Sequence, residues 1–313
     1  MGPGMEFGLI AAAGWGVSSV AATYSARRMG TLVALLVSQA TGAIVLTAVL
    51  AVMRPHLPAL SGMTVLGLAG AGFLSLVGWL TYYRALEFGP VGIVSGTAAT
   101  YGGVTAVLAL VVLGEPLGRY GSIGGALAIA GVAAAATQTS GPRAATWLQA
   151  AMSSSRVPGP PGLTWQAPIH RRPWPGLLLA LASAATYGTG AFWLGMYAAA
   201  AGWLVAALMV YVISVTLLLA ALICKQKRSQ AGRAGIAWAV AAGLTEAVAL
   251  VAFARGGQAG QVAITAAVSS TYPVIPLAVG LVLFRERLSA FQVLGMCVAV
   301  TGLTLVSMSA PLV

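Results

Sequence analysis

The sequence predicts an all-α membrane protein whose ten transmembrane helices form two inverted five-helix repeats. Of the 313 residues, 59% are hydrophobic and only 7% are charged, whereas soluble proteins carry about a quarter charged residues. A bilayer span requires about 20 apolar residues, and the chain contains ten apolar runs separated by charged or turn-forming residues. The third observation is that the two halves are similar in sequence, which indicates an internal duplication.

The apolar runs give the positions of the spans. They lie at 6–24, 31–52, 62–84, 91–112, 118–138, 175–197, 202–224, 233–255, 262–283 and 289–309. Most separators are short, but residues 139–173 contain six prolines and four arginines, a composition typical of a polar linker. We therefore divide the chain into a first repeat (1–138), a linker (139–173) and a second repeat (174–313).

The duplication is visible as a gap-free alignment of residues 84–131 with residues 255–302. At this constant offset of 171, 13 of the 48 pairs are identical, among them Tyr101 with Tyr272 and Glu115 with Glu286. Because five is an odd number, the second repeat must enter the membrane in the opposite orientation to the first. Inverted repeats allow one central site to open alternately to either side of a membrane.

Short motifs recur at equivalent places in the two halves. The segment 83–90 leads into a helix that ends in Leu-Gly-Glu-Pro-Leu at 113–117, and the second half has Phe-Arg-Glu-Arg-Leu at 284–288. With these motifs, the ten-span chain resembles the EamA-type members of the drug/metabolite transporter superfamily, although the long linker departs from that pattern. The resemblance implies a multi-pass inner-membrane carrier of small metabolites, often amino acids or related compounds, that commonly acts as an exporter.

The fourth and ninth spans are unusually polar, and the ninth contains Pro273 and Pro276, which free backbone carbonyls. Carriers place their substrate sites at kinked or broken helices near the midplane. The alternative is that individual Ser and Thr residues only allow close helix packing. The candidate substrate-binding residues are Thr100, Tyr101, Ser269 and Tyr272, with Trp15, Trp79, Tyr82 and Tyr187 as further aromatic contacts.

Glu246 lies near the middle of the eighth span, with only Ala, Gly and Leu one helical turn away on either side. An acidic residue at this depth costs about 3 kcal/mol to insert, so intramembrane acids usually mark function. Burial penalises its charged form, which favours proton exchange and coupling of transport to a proton gradient. Two alternatives remain: Glu246 pairs with an amine-bearing substrate, or it forms a purely structural hydrogen bond.

Glu115 and Glu286 occupy matched helix ends beside several arginines. They are candidates for an ion-pair gate that breaks as the repeats move, or for simple anchors of loop geometry, since exposed ion pairs contribute little stability. Arg84 and Arg255 also match between the halves. They either hold a substrate carboxylate or reach towards lipid headgroups, as long basic side chains do at helix ends.

Several function classes are disfavoured. The net charge of +11 comes from basic residues between apolar runs, where positive charge sets topology rather than binding nucleic acid. The sequence contains no phosphate-binding loop, dinucleotide fingerprint or Cys/His cluster, so we predict no cofactor, no metal and no catalytic residue. The remaining alternatives are a membrane-embedded enzyme, for which five scattered glutamates offer no acidic cluster, and a membrane subunit without transport activity. The partners expected are a small solute and the lipid bilayer, and the oligomeric state is left open.

The orientation in the membrane is ambiguous. Thirteen basic residues lie in the odd-numbered loops and three in the even-numbered loops, which predicts cytoplasmic odd loops and external termini. The family resemblance implies the opposite, with both termini in the cytoplasm.

Overall fold

The computed structural model describes residues 2–55, 58–88, 91–114, 118–136, 174–225 and 232–276, with isolated positions between 278 and 305. The described residues form helices and turns, which confirms the predicted all-α class. The first repeat contains α1 (Pro3–Met29), α2 (Thr31–Met53), α3 (Gly62–Phe88), α4 (Val91–Ala98), α5 (Tyr101–Leu108, continued by a π-helical turn at Ala109–Leu113) and α6 (Gly118–Ala136). The second contains α7 (Trp174–Ala201), α8 (Trp203–Lys225), α9 (Arg233–Gln258) and α10 (Val262–Ser269).

In each repeat, a single glycine forms the tight turn between the first and second helices. Gly30 separates α1 from α2 with φ +77°, and Gly202 separates α7 from α8 with φ +78°. L side chains rarely adopt this backbone conformation, so both positions favour glycine. The two turns lie 172 residues apart, at equivalent places in the two halves.

The prediction of ten spans is confirmed only in part. Seven helical segments among the described residues are long and apolar enough to cross a bilayer, which makes the chain a multi-pass membrane protein. The fifth predicted span is a 19-residue helix, α6, but its glycines and Arg119 lower its hydropathy. The ninth is interrupted and yields only a shorter apolar segment, Val262–Pro276. Most of the tenth, and all of the predicted linker, lie outside the described residues.

Helix packing is reciprocal between the halves. The first helix of each half packs against the third helix of the other, as α1 against α9 and α7 against α3. The first helix of each half also contacts the broken fourth helix of the other, as α1 with α10 and α7 with α4 and α5. The second helices contact each other, and so do the broken fourth helices. This exchange of equivalent contacts is a pseudo-twofold arrangement, and it brings the polar fourth spans of both halves together at the centre.

Candidate substrate-binding cavity

Both polar spans are broken at the same place. Helix α4 ends at Ala98 and α10 ends at Ser269, exactly one repeat offset of 171 residues later. At each break the hydrogen bonds shorten to i→i+3: the Gly102 amide donates to the Ala99 carbonyl, and the Tyr272 amide donates to the Ser269 carbonyl. Helical geometry returns at Tyr101 in the first half and at Val274 in the second. Such 3₁₀ turns inside a helix often mark functional hinges.

Proline accounts for only one of the two breaks. Pro273 is the last residue of the break in the second half and has no amide hydrogen to continue the helix. The first half has Gly102 and Gly103 at the corresponding place and no proline, yet it breaks as well. The sequence prediction, which relied on the prolines for the ninth span, therefore missed the equivalent interruption of the fourth. Glycine lowers helix stability by about 1 kcal/mol per residue, which permits this turn.

Two tyrosines form hydrogen bonds between the interrupted helices of the two halves. Ser269 Oγ donates to the Ala266 carbonyl at 3.1 Å, so the Tyr101 hydroxyl is the donor in its 2.7 Å hydrogen bond to Ser269 Oγ. The Tyr272 hydroxyl donates to the Ser95 carbonyl at 3.0 Å. The matched tyrosines thus each bind the other half, and they tie the two interrupted helices together.

A small cavity lies beside these breaks and is lined by both halves. The centre of a water molecule can occupy about 30 Å³ of it, which corresponds to about two waters. Six of the predicted substrate-binding residues line it. The ten lining residues are Trp15, Ser19, Gly78, Trp79, Tyr82, Ala98, Tyr101, Ser183, Tyr187 and Tyr272. None of them carries a charge, and most of the wall is aromatic.

The aromatic rings of the cavity contact one another edge to face. Trp15 lies 5.8 Å from both Tyr101 and Tyr187 between ring centroids, at interplanar angles of 89° and 83°. Tyr187 also contacts Trp79 at 5.4 Å, and Trp79 contacts Tyr82 at 5.6 Å. These separations lie in the favourable range for aromatic pairs. These rings therefore form one continuous aromatic wall, in which Tyr187 of the second repeat lies between Trp15 and Trp79 of the first.

Glu246 lies outside this wall, although it is equally buried. It is 1% exposed on α9, and both carboxylate oxygens accept hydrogen bonds from α2. Ser38 Oγ donates to Oε2 at 3.1 Å, and Gln39 Nε2 donates to Oε1 at 2.7 Å. Tyr211 on α8 is also fully buried, and its hydroxyl has no hydrogen-bond partner among the described residues.

The other predicted site residues have less central positions. Thr100 is half-buried in the first break, where its hydroxyl donates to the Thr97 carbonyl at 2.7 Å, and Ser269 positions Tyr101 rather than lining the cavity. Arg255 is exposed, with its guanidinium 4.5 Å from the centre of the Trp203 ring, as expected for an interfacial anchor. Glu115 and Glu286, the predicted gate, lie outside the described residues.

Four lining residues were not predicted from the sequence: Ser19, Gly78, Ala98 and Ser183. Small residues are common in every span of this chain, so nothing in the sequence sets these four apart. The partners of Glu246 were missed too. Gln39 offered a signal, because a glutamine inside an apolar span is unusual and tends to hydrogen-bond between helices.

Comparison with known proteins agrees with the architecture. The fold is similar to that of a solved structure described as "Crystal structure of protein", with a TM-score of 0.71 and 15% identity over 97% of this chain and 96% of that chain. At this level of identity the similarity shows the fold alone. No curated protein sequence matches the chain significantly. The model of the EamA-like transporter family matches residues 2–137 and 174–308, which is most of the chain in two repeats. The protein therefore belongs to the EamA-like transporter family, as the sequence motifs predicted.

Proposed function

We propose that this protein is a secondary active carrier of the inner membrane that exports small organic metabolites by alternating access. Amino acids and other amine-containing compounds are the proposed substrates, and export is coupled to protons through Glu246. The direction follows the usual behaviour of the family. The observation that carries the proposal is the cavity between two helices broken exactly one repeat apart, since carriers build their sites at discontinuous helices between inverted repeats.

The size of the cavity supports a closed conformation between the inward-open and outward-open forms. Space for about two waters is too small for an amino acid. Substrate entry therefore requires the halves to separate on one side. The interrupted helices and the reciprocal tyrosine hydrogen bonds supply contacts that break and re-form during such a movement.

The chemistry of the wall favours amines. Cations bind to the faces of Trp and Tyr rings with about 0.5–2 kcal/mol per contact, and aromatic rings dominate this cavity. Glu246 does not line it and already accepts two hydrogen bonds from α2. Its position favours a coupling role over direct contact with the substrate.

Transport by purified protein in proteoliposomes tests the proposal. A panel of radiolabelled amino acids and amines is assayed with and without an imposed proton gradient. We expect gradient-dependent movement of at least one amine, and a loss of at least about fivefold in Tyr101→Ala and Tyr272→Ala, since each removes an aromatic wall. Tyr120→Ala is the matched control because Tyr120 is 55% exposed on α6. Wild-type kinetics in both cavity variants, or no transport of any panel member, would contradict the proposal.

A further inference from the structure

One buried donor of a cavity-lining residue has no hydrogen-bond partner in the part of the chain that the structure describes. Trp15 lines the cavity from α1 and is 3% exposed, and its Nε1 atom is buried without a hydrogen bond. A buried polar group left unsatisfied costs about 1–3 kcal/mol. Such groups are rare in native proteins and call for an explanation.

Five hydroxyl groups of the cavity wall are already used. Ser19 donates to the Gly16 carbonyl and Ser183 to the Gly78 carbonyl, both at 2.8 Å. The Tyr82 hydroxyl is hydrogen-bonded to Ser95 Oγ at 2.8 Å. The hydroxyls of Tyr101 and Tyr272 bind across the repeat boundary. Trp15 Nε1–H is thus a buried donor of a lining residue without a hydrogen-bond partner among the described residues.

We propose that Trp15 Nε1–H is the specificity-determining donor of this site and binds an uncharged carbonyl oxygen of the solute. This inference rests on the proposed function and narrows its substrate class. The favoured solutes carry an amine, which the aromatic faces bind, and a neutral carbonyl acceptor such as a carboxamide or ester. Indole Nε1–H is a donor only, so the complementary solute group must be an acceptor.

The acceptor must be neutral because the cavity offers too little to a carboxylate. None of the ten lining residues is a lysine, an arginine or a histidine. Moving an ionised carboxylate out of water costs several kcal/mol unless it is paired and fully hydrogen-bonded. A single indole N–H does not compensate this cost, whereas it fully satisfies one lone pair of an amide oxygen. Free amino acids are therefore poorer substrates than their amides.

A series of three solutes with the same aliphatic side chain tests the inference. Leucinamide has the amine and a neutral carbonyl, leucine has the amine and a carboxylate, and 3-methylbutylamine has the amine alone. Binding to the purified wild-type protein is measured by calorimetry, and transport in proteoliposomes. We expect leucinamide to bind at least about fivefold more tightly than 3-methylbutylamine, the ratio that one net hydrogen bond supplies, and leucine to bind more weakly than leucinamide.

The Trp15→Phe variant removes the N–H and keeps an aromatic ring. The thermal unfolding midpoint is measured alongside to show that the variant folds, because the smaller ring also removes buried contacts with Tyr101 and Tyr187. The ratio of the affinities for leucinamide and 3-methylbutylamine should fall to about one. Because both solutes carry an amine, this ratio does not depend on a weaker contact between the amine and the phenyl ring. Trp238→Phe is the control, because Trp238 stacks on Tyr24 at 4.9 Å and does not line the cavity. It should retain the full wild-type preference.

The outcomes separate this inference from the proposed function. Equal affinity for leucinamide and 3-methylbutylamine in the wild type, or an unchanged preference in Trp15→Phe, overturns the inference and leaves transport of amines intact. The faces of Tyr101 and Tyr187 would then be the partners of the indole edge. Failure to transport any amine overturns the proposed function itself.

Discussion

Glu246 shows at the scale of one residue how burial and hydrogen bonding combine. The carboxylate is enclosed within the membrane-spanning part of the protein, and both of its oxygens are held by donors on α2. Both partners are neutral, so they stabilise the carboxylate without cancelling its charge. Gaining a proton would remove the charge and one acceptor position, and would thereby weaken the link between α2 and α9. The proposed proton coupling would therefore act through this contact between one helix of each repeat.

We therefore expect Glu246→Gln to fold and to lose the pH dependence of transport. Glutamine keeps the shape of the side chain and one carbonyl acceptor, but it has no titrating proton. The measurement is the initial rate of transport between about pH 5.5 and pH 8. Glu6→Gln is the control, because Glu6 is exposed in the first turn of α1 and its replacement should leave the profile unchanged.

A Glu246→Gln profile that follows the wild type across this range would make Glu246 a structural residue. Charge in an apolar span was enough to single out Glu246 from the sequence. Gln39 stood out in its apolar span, but the pairing of Ser38 and Gln39 with Glu246 was not predictable. They lie more than 200 residues away and meet it only through the packing of α2 on α9.

At the scale of the helix, the matched breaks in the fourth and ninth spans are the main feature. Their polar composition and the repeat offset could be predicted from the sequence, and the structure places the ends of α4 and α10 at that same offset. The break in the first half could not be predicted. It has no proline, and Gly102 and Gly103, which follow the break, are compatible with a continuous helix as well as with an interrupted one. The Tyr101 and Tyr272 cross-links depend on the contact between the two repeats.

Gly102 allows the two breaks to approach each other. A Cβ atom at this position would lie 2.6 Å from Ser270 Cβ and 2.7 Å from the Ala266 carbonyl oxygen. Both distances are shorter than normal contacts, so Gly102→Ala must push α5 and α10 apart. We expect it to destabilise the protein by about 1–3 kcal/mol and to reduce transport, as measured by thermal unfolding in detergent and by proteoliposome assays.

Gly103→Ala is the matched control in the same helix. Among the described residues, a Cβ atom there would meet Ile129 Cδ1 alone, at the ordinary distance of 3.6 Å. Because alanine also has the higher helix propensity, Gly103→Ala should be neutral or slightly stabilising. Equal unfolding midpoints for the two variants would show that the close approach of the breaks does not hold the repeats together.

At the scale of the whole molecule, the reciprocal packing explains how two duplicated halves form a single cavity between them. The duplication predicted that equivalent helices exist in both halves. It did not predict that the first helix of each half would pack against the third helix of the other, because Gly- and Ala-rich helix faces are similar in all spans. That exchange brings Trp15 from α1 and Tyr187 from α7 together, and so it determines the composition of the cavity.

The orientation of the chain is a property of the whole molecule that single-cysteine labelling measures. The distribution of basic residues, thirteen in odd-numbered and three in even-numbered loops, predicts that the segment 139–173 faces the cytoplasm. A Ser154→Cys variant, in a background without Cys224 and Cys297, should therefore resist a membrane-impermeant maleimide in intact cells and react after permeabilisation. Rapid labelling in intact cells would reverse the orientation and place both termini in the cytoplasm.

The most direct measurement is solute protection of a cysteine inside the cavity. Ala98 lines it at the end of α4 and is 5% exposed, so an Ala98→Cys variant reports when the cavity opens and when solute fills it. We predict that a saturating concentration of a transported solute slows labelling of this cysteine by a small thiosulfonate at least about fivefold, while labelling of Ser61→Cys, at the exposed start of α3, is unaffected. Labelling of Ala98→Cys at the same rate with and without solute would mean that transported solutes bind elsewhere.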